Sequence, residues 1–288
     1  MAYKRDGEKI TVKNNPLHPH LLDILKSPAS EGLILGGGYG LQLKRQHVKG
    51  KKTLLQSIPE VRATMDLDFF LRLELFMDPE RERGVRELLD SLNYRPKANH
   101  FLFEKPLGEE YPDRFAKVDL LAREPTSSEP NLKLKPPRVG SRSKDVNLHG
   151  RHTPEAFAVE ESTIKILVNE EPTLHVHVPH PFSWLVMKTV AAGDWLKTRG
   201  TGQAKPNSEK HAYDCYILTG MITEDELESC REFNDRYKDH AKLQEARELG
   251  RQLFCESTSP GYLEACKRAN VDLEFEVFWE GYQLIMGL

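Results

Sequence analysis

Apolar residues recur along this chain at two spacings, and the change from one to the other divides it. Short apolar or alternating runs lie at Gly32 to Leu35, Asp66 to Leu75, Asn99 to Glu104, Phe115 to Leu121, Thr163 to Val168 and Leu174 to Val178. Alternation with period two marks a strand, whose successive side chains point to opposite faces. Helical spacing interrupts these strands at His18 to Lys26, at Tyr39 to Gln46 and at Pro79 to Leu92, where Val85, Leu88, Leu89 and Leu92 share a face. In the second of these helices Lys44 and Arg45 are read as exposed. The turn around Asn169 to Pro172 joins the last two strands. Glu124 to Pro154, with Pro125, Pro130, Pro136, Pro137, Gly140 and Gly150, is read as a long loop or flap with no sustained element. After Pro181 helical spacing takes over, predicting helices at Phe182 to Lys197, Ser208 to Leu218, Glu224 to Asp239, Ala241 to Phe254, Pro260 to Ala269 and Glu274 to Ile285. The pattern predicts an α+β protein: a mixed α/β domain over residues 1–180, then a helical domain over residues 181–288.

Composition changes this picture little. A chain of 288 residues with 39% hydrophobic and 30% charged residues suits two compact domains, or one large one with an appendage. No apolar run approaches the ~20 residues that cross a bilayer. No apolar core follows the charges of Met1 to Asp6, so no secretory signal is visible and a cytoplasmic location is expected. Cys215, Cys230, Cys255 and Cys266 are scattered and form no C-x-x-C, which fits reduced thiols. Net charge is −3, yet Lys44, Arg45, Lys49, Lys51 and Lys52 cluster without an acid. Lys133, Lys135, Arg138, Arg142, Lys144 and Arg151 are opposed only by Asp145. Both stretches suit phosphate contacts or plain solvated loops.

The chemistry concentrates on three acids. Asp66 and Asp68 lie two apart in Met65-Asp66-Leu67-Asp68-Phe69-Phe70, so in a strand they project together while Leu67 and Phe69 pack the opposite face. Paired carboxylates repel unless a cation lies between them, and hard oxygen donors favour Mg²⁺. Asp119 follows in Val118-Asp119-Leu120-Leu121, and upstream stands the glycine run Gly36-Gly37-Gly38-Tyr39-Gly40. That run matches neither G-x-G-x-x-G nor the P-loop pattern, although missing side chains there let backbone N–H groups approach phosphates. Glycine turn, D-x-D strand and third acid together point to metal-assisted phosphoryl chemistry. His175, His177 and His180 offer only a weak zinc alternative, with no cysteine nearby and prolines at 179 and 181. Trp184, Trp195 and Trp279 fit helix packing better than base stacking.

These motifs resemble the DNA-polymerase-β-like nucleotidyltransferase superfamily, most closely its abortive-infection, AbiEii/AbiGii-type toxin branch. The resemblance runs from about Gly32 to Ala122 and again from about Pro181 to Leu218. It rests on Gly36-Gly37 opening a helix, Thr64 two residues before Asp66-Leu67-Asp68-Phe69-Phe70, and Asp119 on a later strand. Lys188 in Trp184-Leu185-Val186-Met187-Lys188, and Lys210 with Asp214 in K-x-x-x-D spacing, match the family's lysine-bearing helix and downstream motif. An insertion at Gln46 to Val61 and the long Glu124 to Pro154 connector depart from the pattern and leave the acceptor open.

The resemblance implies a nucleotidyltransferase fold whose helical domain closes the active-site cleft. It further implies Mg²⁺, with Mn²⁺ as substitute, on Asp66, Asp68 and Asp119. An NTP would be held by Gly36, Gly37, Thr64, Lys188 and Lys210, with Lys188 and Asp214 among the catalytic residues. The expected reaction moves an NMP to an acceptor hydroxyl. The acceptor expected from the resemblance is RNA at the tRNA 3′ end, in a toxin paired with an antitoxin protein and needing no membrane. A drug-modifying nucleotidyltransferase and a catalytically silent nucleotide-binding module are the alternatives.

Overall fold

Leu67, Phe69 and Leu71 of one strand and Val118, Leu120 and Ala122 of another are almost wholly buried, while the residues between them include the three acids. The two strands therefore turn one apolar face to the core and leave the other for chemistry. The computed structural model of the chain describes residues 15–62, 64–108, 111, 113–142, 146–203 and 208–288. Lys144 and Asp145, and the N-terminal residues 1–14, lie outside them. Two compact units emerge: the described residues through His47 with Arg62–Pro179, and Val48–Val61 with His180–Leu288.

The first unit holds α1 (His18–Leu25), β1 (Leu33–Leu35), α2 (Gly37–His47), β2 (Asp66–Leu71), α3 (Glu74–Met77), α4 (Pro79–Ser91) and β3 (Arg95–Pro96). It continues with β4 (Leu102–Pro106), β5 (Phe115–Ala122), β6 (Leu132–Lys135), β7 (Arg138–Ser141), β8 (Gly150–His152), β9 (Ile164–Asn169) and β10 (Leu174–Val178). All ten strands form one mixed sheet in the order β6-β7-β8-β5-β2-β1-β10-β9, with β3 and β4 attached beside β5. β2 runs parallel to β5 and antiparallel to β1. The outer edge of β5 is shared: β4 pairs with residues up to Asp119, and β8 takes over at Leu121 and Ala122.

Three expectations need correction in this unit. The strand begun at Asp66 ends at Leu71, and the short helix α3 follows where the pattern extends a strand to Leu75. Asn99 and His100 have left-handed φ values of 76° and 54°, so they form a tight turn and β4 begins only at Leu102. The Glu124 to Pro154 stretch is not merely a loop: it supplies β6, β7 and β8. Its strands are short and rich in Lys, Arg and Gly, and become strands by pairing with one another and with β5. Such pairing leaves little local signal, because β preference is mostly a matter of neighbours.

The second unit is built from α5 (Pro181–Thr198), α6 (Lys210–Gly220), α7 (Glu224–Arg236), α8 (Ala241–Phe254), α9 (Pro260–Ala269) and α10 (Phe275–Met286). α5 is buried along most of its length, including Trp184 and Trp195, and packs on α6 and α8. Thr223 and Glu226 form a reciprocal capping box that starts α7. Of the insertion read at Gln46 to Val61, Gln46 and His47 end α2 and residues 48–61 belong to this second unit. Leu54 and Leu55 N–H groups donate to the carbonyls of Ile222 and Gly220 at 3.1 Å each, and the Tyr213 hydroxyl donates to the Glu60 carbonyl at 2.7 Å. Among the described residues no helix is long and apolar enough to cross a membrane.

Candidate active site

The two-residue spacing of Asp66 and Asp68 places them on the same face of β2, and the parallel register sets Asp68 directly opposite Asp119 on β5. The glycine turn between β1 and α2 closes against this pair. The Gly36 N–H donates to the Asp68 carbonyl at 2.7 Å, tying the turn to the strand. Gly37 adopts φ +61°, and a Cβ there would overlap the Asp68 carboxylate oxygen Oδ2. Only glycine combines that backbone with that clearance. Thr64 lies against Gly38, and its hydroxyl accepts the Asp66 N–H at 3.3 Å. Gln42 of α2 donates to the Arg62 carbonyl at 3.0 Å, fixing the approach to Thr64.

Asp119 titrates far from the ordinary carboxylate range. Burial pushes its carboxyl up to about 7; Arg151 pulls it down, and the nearby Asp68 and Asp66 raise it again. Its two oxygens differ. Oδ2 accepts a hydrogen bond from Nη2 of Arg151, whereas Oδ1 is buried with no hydrogen-bond partner. Arg151 comes from β8, inside the segment read from the sequence as a flap, and nothing local marks it. Its place follows from Leu121, which pairs with Arg151 and lies two residues beyond Asp119 on the same face of β5.

The donor set suits a hard divalent ion in chemistry: three carboxylates from two adjacent strands, one with an unsatisfied buried oxygen, beside a turn that lacks side chains. Even so, among the described residues no three acidic, histidine or thiol side chains already enclose an ion position. Asp119 gives one oxygen to Arg151, so the acids share a face without converging on a point.

The remaining predicted residues lie in the second unit. Lys188 of α5 donates from Nζ to Oδ2 of Asp214 on α6 at 2.8 Å, with both side chains almost wholly buried. Lys210 opens α6 one turn before Asp214. His211 Nδ1 stands 3.8 Å from the same Asp214 oxygen, beyond hydrogen-bond reach, and burial lowers its pKa to about 4. The imidazole is thus neutral at physiological pH, and Lys188 is the cation that balances Asp214. The basic cluster after the glycine turn is divided between the units. Lys44 is 1% exposed on α2, correcting its reading as a solvent-facing residue, whereas Lys49, Lys51 and Lys52 are exposed.

No protein-family model and no curated protein matches this chain. Among solved structures it is similar to an antigenic nucleotidyltransferase-like protein from Paracoccidioides brasiliensis. The identity is 13%, over 83% of this chain and 92% of that one, with a TM-score of 0.40.

Proposed function

We propose that this chain is a Mg²⁺-dependent nucleotidyltransferase that moves an NMP from an NTP to an acceptor hydroxyl. The observation that supports this best is Asp68 in register with Asp119, with Asp66 on the same face and the side-chain-free Gly37 against Asp68. In this reading Asp66, Asp68 and Asp119 hold the ion, which when bound supplies charge neutralisation and orientation of the phosphates. Gly36 anchors the turn, Gly37 leaves room for the Asp68 carboxylate, and Thr64 fixes the backbone entering β2. The acceptor oxygen forms a bond to the α-phosphorus, the bond to the bridging oxygen breaks, and pyrophosphate leaves with that electron pair. Asp119 completes the carboxylate set, and the acceptor's hydroxyl proton is released to water as its oxygen attacks. Lys188 and Lys210, the phosphate-neutralising lysines implied by the resemblance, belong to the helical unit, where Lys188 is committed to Asp214.

The acceptor is proposed to be RNA, at the tRNA 3′ end, and the protein to be the toxin of a toxin–antitoxin pair. Exposed Lys49, Lys51, Lys52 and Arg142 support a polyanionic acceptor. The burial of Lys44 removes one residue from that argument and keeps a small-molecule acceptor as the second reading. The test is incubation of wild type and Asp66→Ala with each α-labelled NTP plus total RNA, total protein or a panel of aminoglycosides. Label should enter RNA with wild type alone; equal incorporation by both proteins in every arm refutes the transferase reading.

A further inference from the structure

Asp119 lies where two neighbours of β5 hand over. On the outer edge of that strand, Leu102 of β4 pairs with Asp119 itself, and two residues later Arg151 of β8 pairs with Leu121. Because i and i+2 share a face, the Arg151 side chain emerges beside Asp119 on the same side as Asp68. Arg151 is 44% exposed at its side chain and contributes nothing to the apolar core, yet its guanidinium donates to Oδ2 of Asp119. The other oxygen, Oδ1, is buried and unpartnered. A carboxylate with one oxygen fixed by a planar donor has only one oxygen left to offer, and its plane is set.

We infer that Arg151 is the positioning residue for Asp119, holding Oδ2 so that Oδ1 is the oxygen presented to the divalent ion shared with Asp66 and Asp68. This rests on the metal reading proposed above and extends it to a residue outside the three acids. Groups that orient metal ligands commonly change metal affinity by about 10–100-fold when removed. The arrangement also gives the Glu124 to Pro154 segment a role, because β7 and β8 carry Arg151 to the acid, with Arg138 of β7 pairing with Arg151 at its back.

Mn²⁺ titration of the full-length protein, followed by loss of the free-ion paramagnetic resonance signal, tests this on wild type, Arg151→Gln, Arg151→Lys and Asp66→Ala. Melting temperatures are measured on the same samples. Arg151→Gln should bind Mn²⁺ about tenfold or more weakly with its melting temperature unchanged, since the side chain is outside the core. Arg151→Lys keeps the charge without the planar fork and should fall between the two. Should the glutamine variant fail to fold, the lysine variant decides alone, with weakened binding at an unchanged melting temperature as the supporting result. Mn²⁺ binding by the Arg151 variants as tight as wild type, or tighter, overturns the positioning role. If that binding is still lost in Asp66→Ala, the metal reading survives. Absence of Mn²⁺ binding in wild type overturns both.

Discussion

At Gly37 a missing methyl group decides whether Asp68 can stand where it does. Gly37→Ala would force a left-handed φ on a Cβ-bearing residue and drive that Cβ into Oδ2 of Asp68, at a cost of about 1–2 kcal/mol from the backbone alone. The expected outcome is a lowered melting temperature together with lost Mn²⁺ binding; unchanged values of both would mean that Asp68 has room elsewhere. Asp66→Ala should instead cut transfer by orders of magnitude while the melting temperature holds or rises, because it relieves repulsion between like charges. A sharp fall in melting temperature would make Asp66 a structural residue. Glu82 of α4 carries a different signal, since it is 1% exposed and neither carboxylate oxygen has a hydrogen-bond partner among the described residues. Burial pushes its pKa up to about 7 from 4.5, and Ser141 only partly holds it back. The folded protein binds this proton more tightly than the unfolded chain. Its contribution to stability is therefore complete below pH 4.5 and is lost as pH rises to about 7, by up to about 3 kcal/mol. Glu82→Gln should remove that slope, so its melting advantage over wild type should be larger at pH 8 than at pH 5. An equal difference at both pH values would rule out Glu82 as its source.

Elements carry the next set of consequences. Lys188 and Asp214 join α5 to α6 inside the helical unit, where removing Lys188 takes from the buried Asp214 the cation at 2.8 Å. Lys188→Ala is expected to destabilise by about 3–5 kcal/mol, and the double change Lys188→Met with Asp214→Leu by much less. Denaturant unfolding of the three proteins checks this; a double variant as unstable as the single one would show that the pair does more than balance charge. The inserted stretch 48–61 is likewise a packing element of that unit: Leu55 is 1% exposed and lies against Gly220. Its attachment is not readable from local pattern, because Leu54 and Leu55 find their backbone partners at Ile222 and Gly220, far along the chain. The same holds for β6 to β8. Their alternation is too brief to register, and their partners lie at the far end of β5 or on each other.

For the whole molecule, the distribution of charge sets what an RNA partner would meet. Replacing Lys49, Lys51 and Lys52 by Ala should weaken RNA binding and flatten its log–log salt slope by about 0.7–0.9 per lost phosphate contact. NTP affinity should change far less. Unchanged RNA binding would return these lysines to the status of solvated surface, and Lys44 is left out because it is buried. In a cell, expression of wild type should arrest growth while Asp66→Ala should not. Harmless expression of a protein with demonstrated transferase activity would favour a small-molecule acceptor over a toxin.

What the sequence determined by itself were features that depend on periodicity and local chemistry. The facing of Asp66 with Asp68 follows from strand geometry alone, and the helices of residues 181–288 follow from a 3.6-residue apolar repeat. The glycine turn was marked by composition, although the need for glycine specifically at Gly37 emerges only against Asp68. Tertiary structure alone decided which strands are neighbours. It placed Asp119 opposite Asp68, brought Arg151 beside Asp119 from 32 residues further along the chain, buried Lys44, and assigned residues 48–61 to the helical unit. The physical reason is that pairing between strands is a relation between distant segments, set by register and by the faces each must bury. A local window contains neither.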